Sequence, residues 1–113
     1  MSTHGTWIRV TTEEHIPPRE GRAVHIGGRE LAIFNVGDRY LAVDGRCPHK
    51  GGPLCDGIVA GDTVVCPLHA YKVSLTSGRV ERPSGIAACV RTYETRVENG
   101  IVMLRLDAEV SAA

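Results

Sequence analysis

Short apolar runs punctuated by Gly, Asp and Asn recur along the whole chain, and none longer than about ten residues keeps a helical period. This pattern predicts an all-β fold. Trp7-Ile8-Arg9-Val10 reads as a first strand. Thr11-Thr12-Glu13-Glu14 then opens a brief helical turn that Pro17-Pro18 stops. Residues 22–26 and 29–36 are two strands around Gly27-Gly28, a pair able to take the positive φ values of a tight hairpin. Gly37-Asp38 turns into a further strand over residues 39–43. Regular alternation over residues 90–97 predicts one more strand, and Asn99-Gly100 is a strong hairpin signal before Ile101-Val102-Met103-Leu104. Residues 108–113 are expected to fray.

Residues 45–83 change character, with Gly, Pro, Cys and His crowding out all but short apolar pieces at Thr63-Val64-Val65 and Tyr71-Lys72-Val73. Such a segment is usually built around a ligand. The expectation is one domain over residues 1–113, a β scaffold with residues 45–83 inserted as a smaller, site-bearing lobe.

Composition narrows the function. A chain of 113 residues with 42% hydrophobic content can bury one modest core. Lys plus Arg and Asp plus Glu number 13 each, so no net field draws it towards nucleic acid or anionic lipid. No run approaches the roughly 20 apolar residues of a membrane helix, and the first residues lack a basic-then-apolar export signal. The cytoplasm is the expected compartment, where cysteines more often bind metal than form disulfides.

Cys47-Pro48-His49 and Cys66-Pro67-Leu68-His69 each offer one thiolate and one imidazole, and the residues between them include Gly51, Gly52, Gly57 and Gly61. Two irons bridged by sulfides need four protein ligands, and two imidazoles in place of two thiolates on one iron is the Rieske arrangement. Each loop would give its cysteine to one iron and its histidine to the other. Glycines allow a backbone to wrap a cluster with positive φ and aim N–H groups at sulfur, while Pro48 and Pro67 stiffen the loops. The oxidised cluster then sums formally to about zero, against about −2 for four thiolates, and accepts an electron more readily. A tetrahedral zinc site is the competing reading of two Cys and two His. Zinc pairs are usually two cysteines or two histidines close together, whereas each half here mixes the two.

Cys47-Pro48-His49-Lys50-Gly51-Gly52-Pro53-Leu54, Cys66-Pro67-Leu68-His69 and Ser77-Gly78-Arg79 together resemble the Rieske ferredoxin superfamily. The resemblance implies stacked antiparallel β-sheets with an inserted cluster-binding lobe, one 2Fe-2S cluster, and His49 and His69 near the surface as the electron port. High-potential members of respiratory cytochrome bc complexes carry an extra cysteine in each loop, at positions matching Gly52 and Leu68, and a serine where this chain has Tyr71. That implies the low end of the Rieske range, which runs from about −150 to +300 mV.

Residues 16–24 and 90–97 further resemble the small subunit of assimilatory NAD(P)H nitrite reductase, which implies a larger partner bearing siroheme and flavin that reduces nitrite to ammonia in nitrate assimilation. Ferredoxin components of aromatic-ring dioxygenases share much of this pattern. They imply a flavin reductase and a terminal oxygenase as partners instead. On either reading the chain has no complete active site of its own: it lacks a Gly-rich dinucleotide fingerprint and, once His49 and His69 are committed, the ligands for a second metal.

Cys55 and Cys89 read as buried free thiols, although a pairing between them stays open. His4, His15 and His25 read as exposed or strand histidines. Leu54, Pro53 and Leu68 flank the histidine tip and could pack locally or form an apolar docking rim, to which Lys50 and Lys72 could add charge.

Overall fold

The computed structural model describes residues 5–47, 51–68 and 70–107. Among the described residues, eleven strands form three antiparallel sheets. The first sheet joins β1 (Gly5–Thr12) to β11 (Ile101–Asp107) and β10 (Thr95–Glu98). The second has the order β2 (Gly21–Ile26), β3 (Arg29–Asn35), β4 (Tyr40–Asp44), β9 (Thr92–Tyr93). The third runs β5 (Ile58–Ala60), β6 (Thr63–Val65), β7 (Lys72–Ser74), β8 (Val80–Arg82).

Leu31-Ala32-Ile33-Phe34 shows how the sheets stack. Successive residues of a strand point to opposite faces, so an unbroken apolar run belongs where both faces are covered. All four are fully buried. Leu31 and Ile33 join Ile16, Tyr40, Ala42, Val102 and Leu104 in one core, against the first sheet. Ala32 and Phe34 join Val43, Val59, Val64, Val73, Leu75 and Val80 in another, against the third sheet. Cys47 and Cys66 are members of this second core.

The predicted turns take the expected geometry. Gly27 and Gly28 have φ of 56° and 81°, and Ile26 pairs with Arg29 across them. Asn99 and Gly100 have φ of 52° and 79°, and Glu98 pairs with Ile101. The helical turn expected from Thr11 is instead a 3-10 helix at Glu13–His15, because Thr11 and Thr12 stay in β1, paired with Val102 and Ile101. Residues 16–20 are then fastened to the end of β3. Asn35 donates from Nδ2 to the Ile16 carbonyl at 2.9 Å, and its backbone carbonyl accepts from the Arg19 N–H at 2.7 Å.

The alternating run 90–97 is not one strand. Thr92 pairs with Val43 in the second sheet, and Thr95 pairs with Leu104 in the first. The chain changes sheets at Glu94, whose carbonyl accepts from the Arg105 N–H at 3.0 Å, while the Thr95 hydroxyl donates to the Tyr40 carbonyl at 2.5 Å. Alternation shows which face is apolar, and both layers satisfy it. The sequence reading also missed β5, β8 and the 3-10 turn Leu54–Asp56, each only three residues long. Among the described residues no helix is long and apolar enough to cross a membrane.

Candidate metal centre

Two loops approach each other at one end of the third sheet. Cys47 leaves β4 through Gly45 and Arg46, and Cys66 leaves β6 directly. The loops share one backbone design. The Cys47 N–H donates to the carbonyl of Gly52 at 2.8 Å, and the Cys47 carbonyl accepts from the Gly51 N–H at 2.9 Å. The Cys66 N–H donates to the carbonyl of Tyr71 at 2.7 Å, and the Cys66 carbonyl accepts from the Ala70 N–H at 3.1 Å. Each cysteine thus starts a knuckle closed by residues four and five positions on. Gly51 and Ala70 hold matching places with φ of 73° and 59°. Ala70 adopts a backbone conformation disfavoured for any residue with a Cβ, a feature no side-chain pattern announces.

Cys47 and Cys66 are buried in the same core, close enough for their thiols to interact, and are not disulfide-bonded. Burial pushes the Cys66 thiol pKa up, a backbone hydrogen bond from Leu68 works in the opposite direction, and Cys47 adds to the rise. The buried Cys66 thiol therefore resists ionisation unless a cation compensates it. Gly52 lets the two loops approach: a Cβ there would stand 2.9 Å from Cys66 Sγ and 3.0 Å from Leu68 Cγ. These features fit thiolate ligation of a metal centre. The other two candidate ligands, His49 and His69, lie outside the described residues, as do His4, Pro48 and Lys50. Among the described residues no group of three or more His, Cys, Asp or Glu side chains is placed to hold a metal.

Both loops are tied to the scaffold. Glu30 on β3 accepts the Gly45 N–H at 2.8 Å, and a Cβ on Gly45 would meet the Glu30 side chain at 2.9 Å. Asp44 accepts the Arg91 N–H at 2.9 Å and the Tyr93 hydroxyl at 2.7 Å, joining the first loop's base to the segment entering β9. Arg46 donates from Nε to Glu30 at 3.0 Å and from a terminal nitrogen to the Gly51 carbonyl at 3.1 Å. Sequence reading missed these contacts because the partners are distant in sequence or are backbone atoms.

Several expectations need correction. Cys55 and Cys89 are free thiols, as expected, but Cys89 is exposed and Cys55 half-buried rather than both being buried. Cys55 lies 3.8 Å from an Asp56 carboxylate oxygen, and its pKa is raised by burial and then by that charge. Leu54 is fully buried and belongs to the core, whereas Leu68 is 45% exposed. Of the four glycines between the half-sites, Gly51 and Gly61 take positive φ. Gly52 and Gly57 are instead required by close approach, a Gly57 Cβ falling 2.4 Å from the Val65 carbonyl oxygen. His15 and His25 are exposed, as expected.

Three stacked antiparallel sheets with paired cysteine knuckles at one end define a class of iron–sulfur protein. Residues 6–94 match the Rieske [2Fe-2S] domain, and the chain belongs to that family. It is an electron-transfer domain, and its cofactor is one Rieske 2Fe-2S cluster.

Among curated relatives, the ferredoxin component of the naphthalene 1,2-dioxygenase/salicylate 5-hydroxylase systems of Ralstonia sp. is 30% identical over 107 residues, covering 89% of this chain and 96% of its own. A solved structure proposed as the small subunit of an NADPH nitrite reductase matches with TM-score 0.76 and 25% identity, covering 88% of this chain and 97% of that one. One from Mycobacterium tuberculosis, proposed as an NADH-dependent nitrite reductase small subunit, matches with TM-score 0.82 over 92% of this chain and 97% of that one. At 23% identity that likeness concerns the fold alone.

Proposed function

We propose that this chain is the electron-transfer small subunit of an NAD(P)H-dependent assimilatory nitrite reductase, a cytoplasmic complex reducing nitrite to ammonia. Its cluster is held by Cys47, His49, Cys66 and His69, within a single domain of residues 1–113 whose cluster-binding lobe is residues 45–83. The observation that carries the reading is the resemblance of residues 16–24 and 90–97 to that family, together with the near end-to-end match to the structure of 25% identity. The first segment is fastened through Asn35, and the second binds the base of the first cysteine loop through Asp44. The resembling residues therefore belong to the frame that positions the site.

A second reading has its own support. The 30% identity to a dioxygenase ferredoxin component favours a free-standing carrier between a flavin reductase and a ring-hydroxylating oxygenase. In both, electrons pass through this chain and chemistry happens elsewhere. The loop positions that carry extra cysteines in high-potential members hold Gly52 and Leu68 here, supporting a midpoint near the low end of the Rieske range.

Co-expression with a siroheme-containing reductase decides between the two readings. The expected result is a stable complex on size exclusion and nitrite-dependent NAD(P)H oxidation that falls when this chain is omitted. A red-brown protein that never associates with the siroheme partner, yet passes electrons from a dioxygenase reductase to its oxygenase, would establish the second reading. Purified chain without iron or sulfide after anaerobic reconstitution would refute both.

A further inference from the structure

We infer that Arg46, held by Glu30, is a positioning and charge-tuning residue for the iron–sulfur centre. The inference rests on the reading that the knuckle beginning at Cys47 ligates the cluster. Arg46 directly precedes Cys47, and its guanidinium spans two parts of the molecule. Nε meets the Glu30 carboxylate at 3.0 Å on β3, and a terminal nitrogen meets the Gly51 carbonyl at 3.1 Å inside the knuckle. The Glu30 backbone grips the same place, its carbonyl accepting the Gly45 N–H at 2.8 Å. One scaffold residue thus fixes the loop's base through its main chain and its closing turn through Arg46.

A planar fork with several donors holds a carboxylate and a carbonyl at once in fixed geometry, which a lysine ammonium on a flexible stem does less well. The Arg46 side chain is 55% exposed and that of Glu30 24%. An ion pair this open to water contributes little to global stability. Its consequence is local: Gly51 closes the turn whose opening residue is Cys47, and His49 lies between them.

The pair also has an electrostatic signature. Reduction adds one negative charge to the centre, so a nearby cation favours the reduced form and a nearby anion disfavours it. Neutralising Arg46 therefore lowers the midpoint, and neutralising Glu30 raises it. Both shifts shrink as salt screens the charges.

The test uses the full chain carrying its cluster and compares Arg46→Gln, Arg46→Lys and Glu30→Gln by midpoint potential and by electron paramagnetic resonance of the reduced state. Expected are midpoint shifts of opposite sign for Arg46→Gln and Glu30→Gln, both smaller at high ionic strength. Arg46→Lys should restore most of the midpoint while leaving the resonance broadened, because charge returns without the fork. Loss of cluster in Arg46→Gln with retention in Arg46→Lys also supports the positioning role. Wild-type midpoint and spectrum in Arg46→Gln overturn the inference. If no Arg46 variant folds, an unchanged or lowered midpoint in Glu30→Gln overturns it. Absence of a cluster from the wild-type chain would instead refute the reading beneath it.

Discussion

The middle sheet and the third sheet solve different physical problems. The middle sheet has strands of five to seven residues at its centre, and β3 buries side chains into cores on both faces. Its geometry follows from the removal of apolar surface from water. The third sheet has strands of three residues, and its connections depend on missing side chains and loop hydrogen bonds. A Cβ on Gly78 would sit 2.0 Å from the Val90 carbonyl oxygen, while the Gly78 carbonyl accepts the Val90 N–H at 2.8 Å. In one region side-chain volume defines the packing; in the other, backbone meets backbone. The thiol pair sits where the two regimes meet, with both cysteines in the core beneath the third sheet and their loops closed by main-chain bonds.

This contrast can be broken experimentally. Leu104→Ala empties a fully buried position in the core away from the cysteines. It should cost about 3 kcal/mol in urea denaturation and leave the visible spectrum of the folded, cluster-loaded protein unchanged. A changed spectrum would mean the two cores are not separable.

Gly78→Ala should cost about 2 kcal/mol or more, because a positive φ of 79° and a backbone collision act together. Gly61→Ala is the control, with a φ of 60° and nothing within 4 Å of the added carbon. It should cost only about 1 kcal/mol. Equal losses in thermal or chemical denaturation would remove close approach from the account of the lobe.

The smallest effect concerns the joint between the regions. Tyr93 donates to Asp44 at 2.7 Å, and burial, followed by this carboxylate, pushes its pKa up to about 12 from 10.0. The folded state therefore favours the protonated phenol. Its contribution is complete below about pH 10 and is lost as pH rises towards 12. Tyr93→Phe should lower stability by about 1 kcal/mol at pH 8, a charge-assisted bond discounted for partial exposure. The difference from wild type should narrow as the pH rises from 10 to 12, measured by urea denaturation at each pH. A constant difference would show that folding does not raise the phenol's pKa.

Much of the scaffold was legible in local pattern. Gly27-Gly28 and Asn99-Gly100 encode positive φ in their composition, and the run at residues 31–34 encodes burial. Cys47 and Cys66 were candidates by residue type and spacing, and the tertiary structure buries both in one core. The histidine halves of those motifs fall outside the described residues. Less legible were Ala70, whose left-handed backbone is imposed by knuckle closure, and Cys89, whose exposure no hydropathy value foretells.

The chain alone specified the longer strands and the tight turns at Gly27-Gly28 and Asn99-Gly100, because period-two alternation and permissive φ are properties of neighbouring residues. It also specified which donor types could meet a metal. Only the tertiary structure decided that residues 90–97 divide between two sheets, that Gly52, Gly57 and Gly78 are fixed by contact, and that Glu30 reaches Arg46. These outcomes depend on which distant backbones and side chains come within van der Waals or hydrogen-bonding distance, and local periodicity carries no information about that distance.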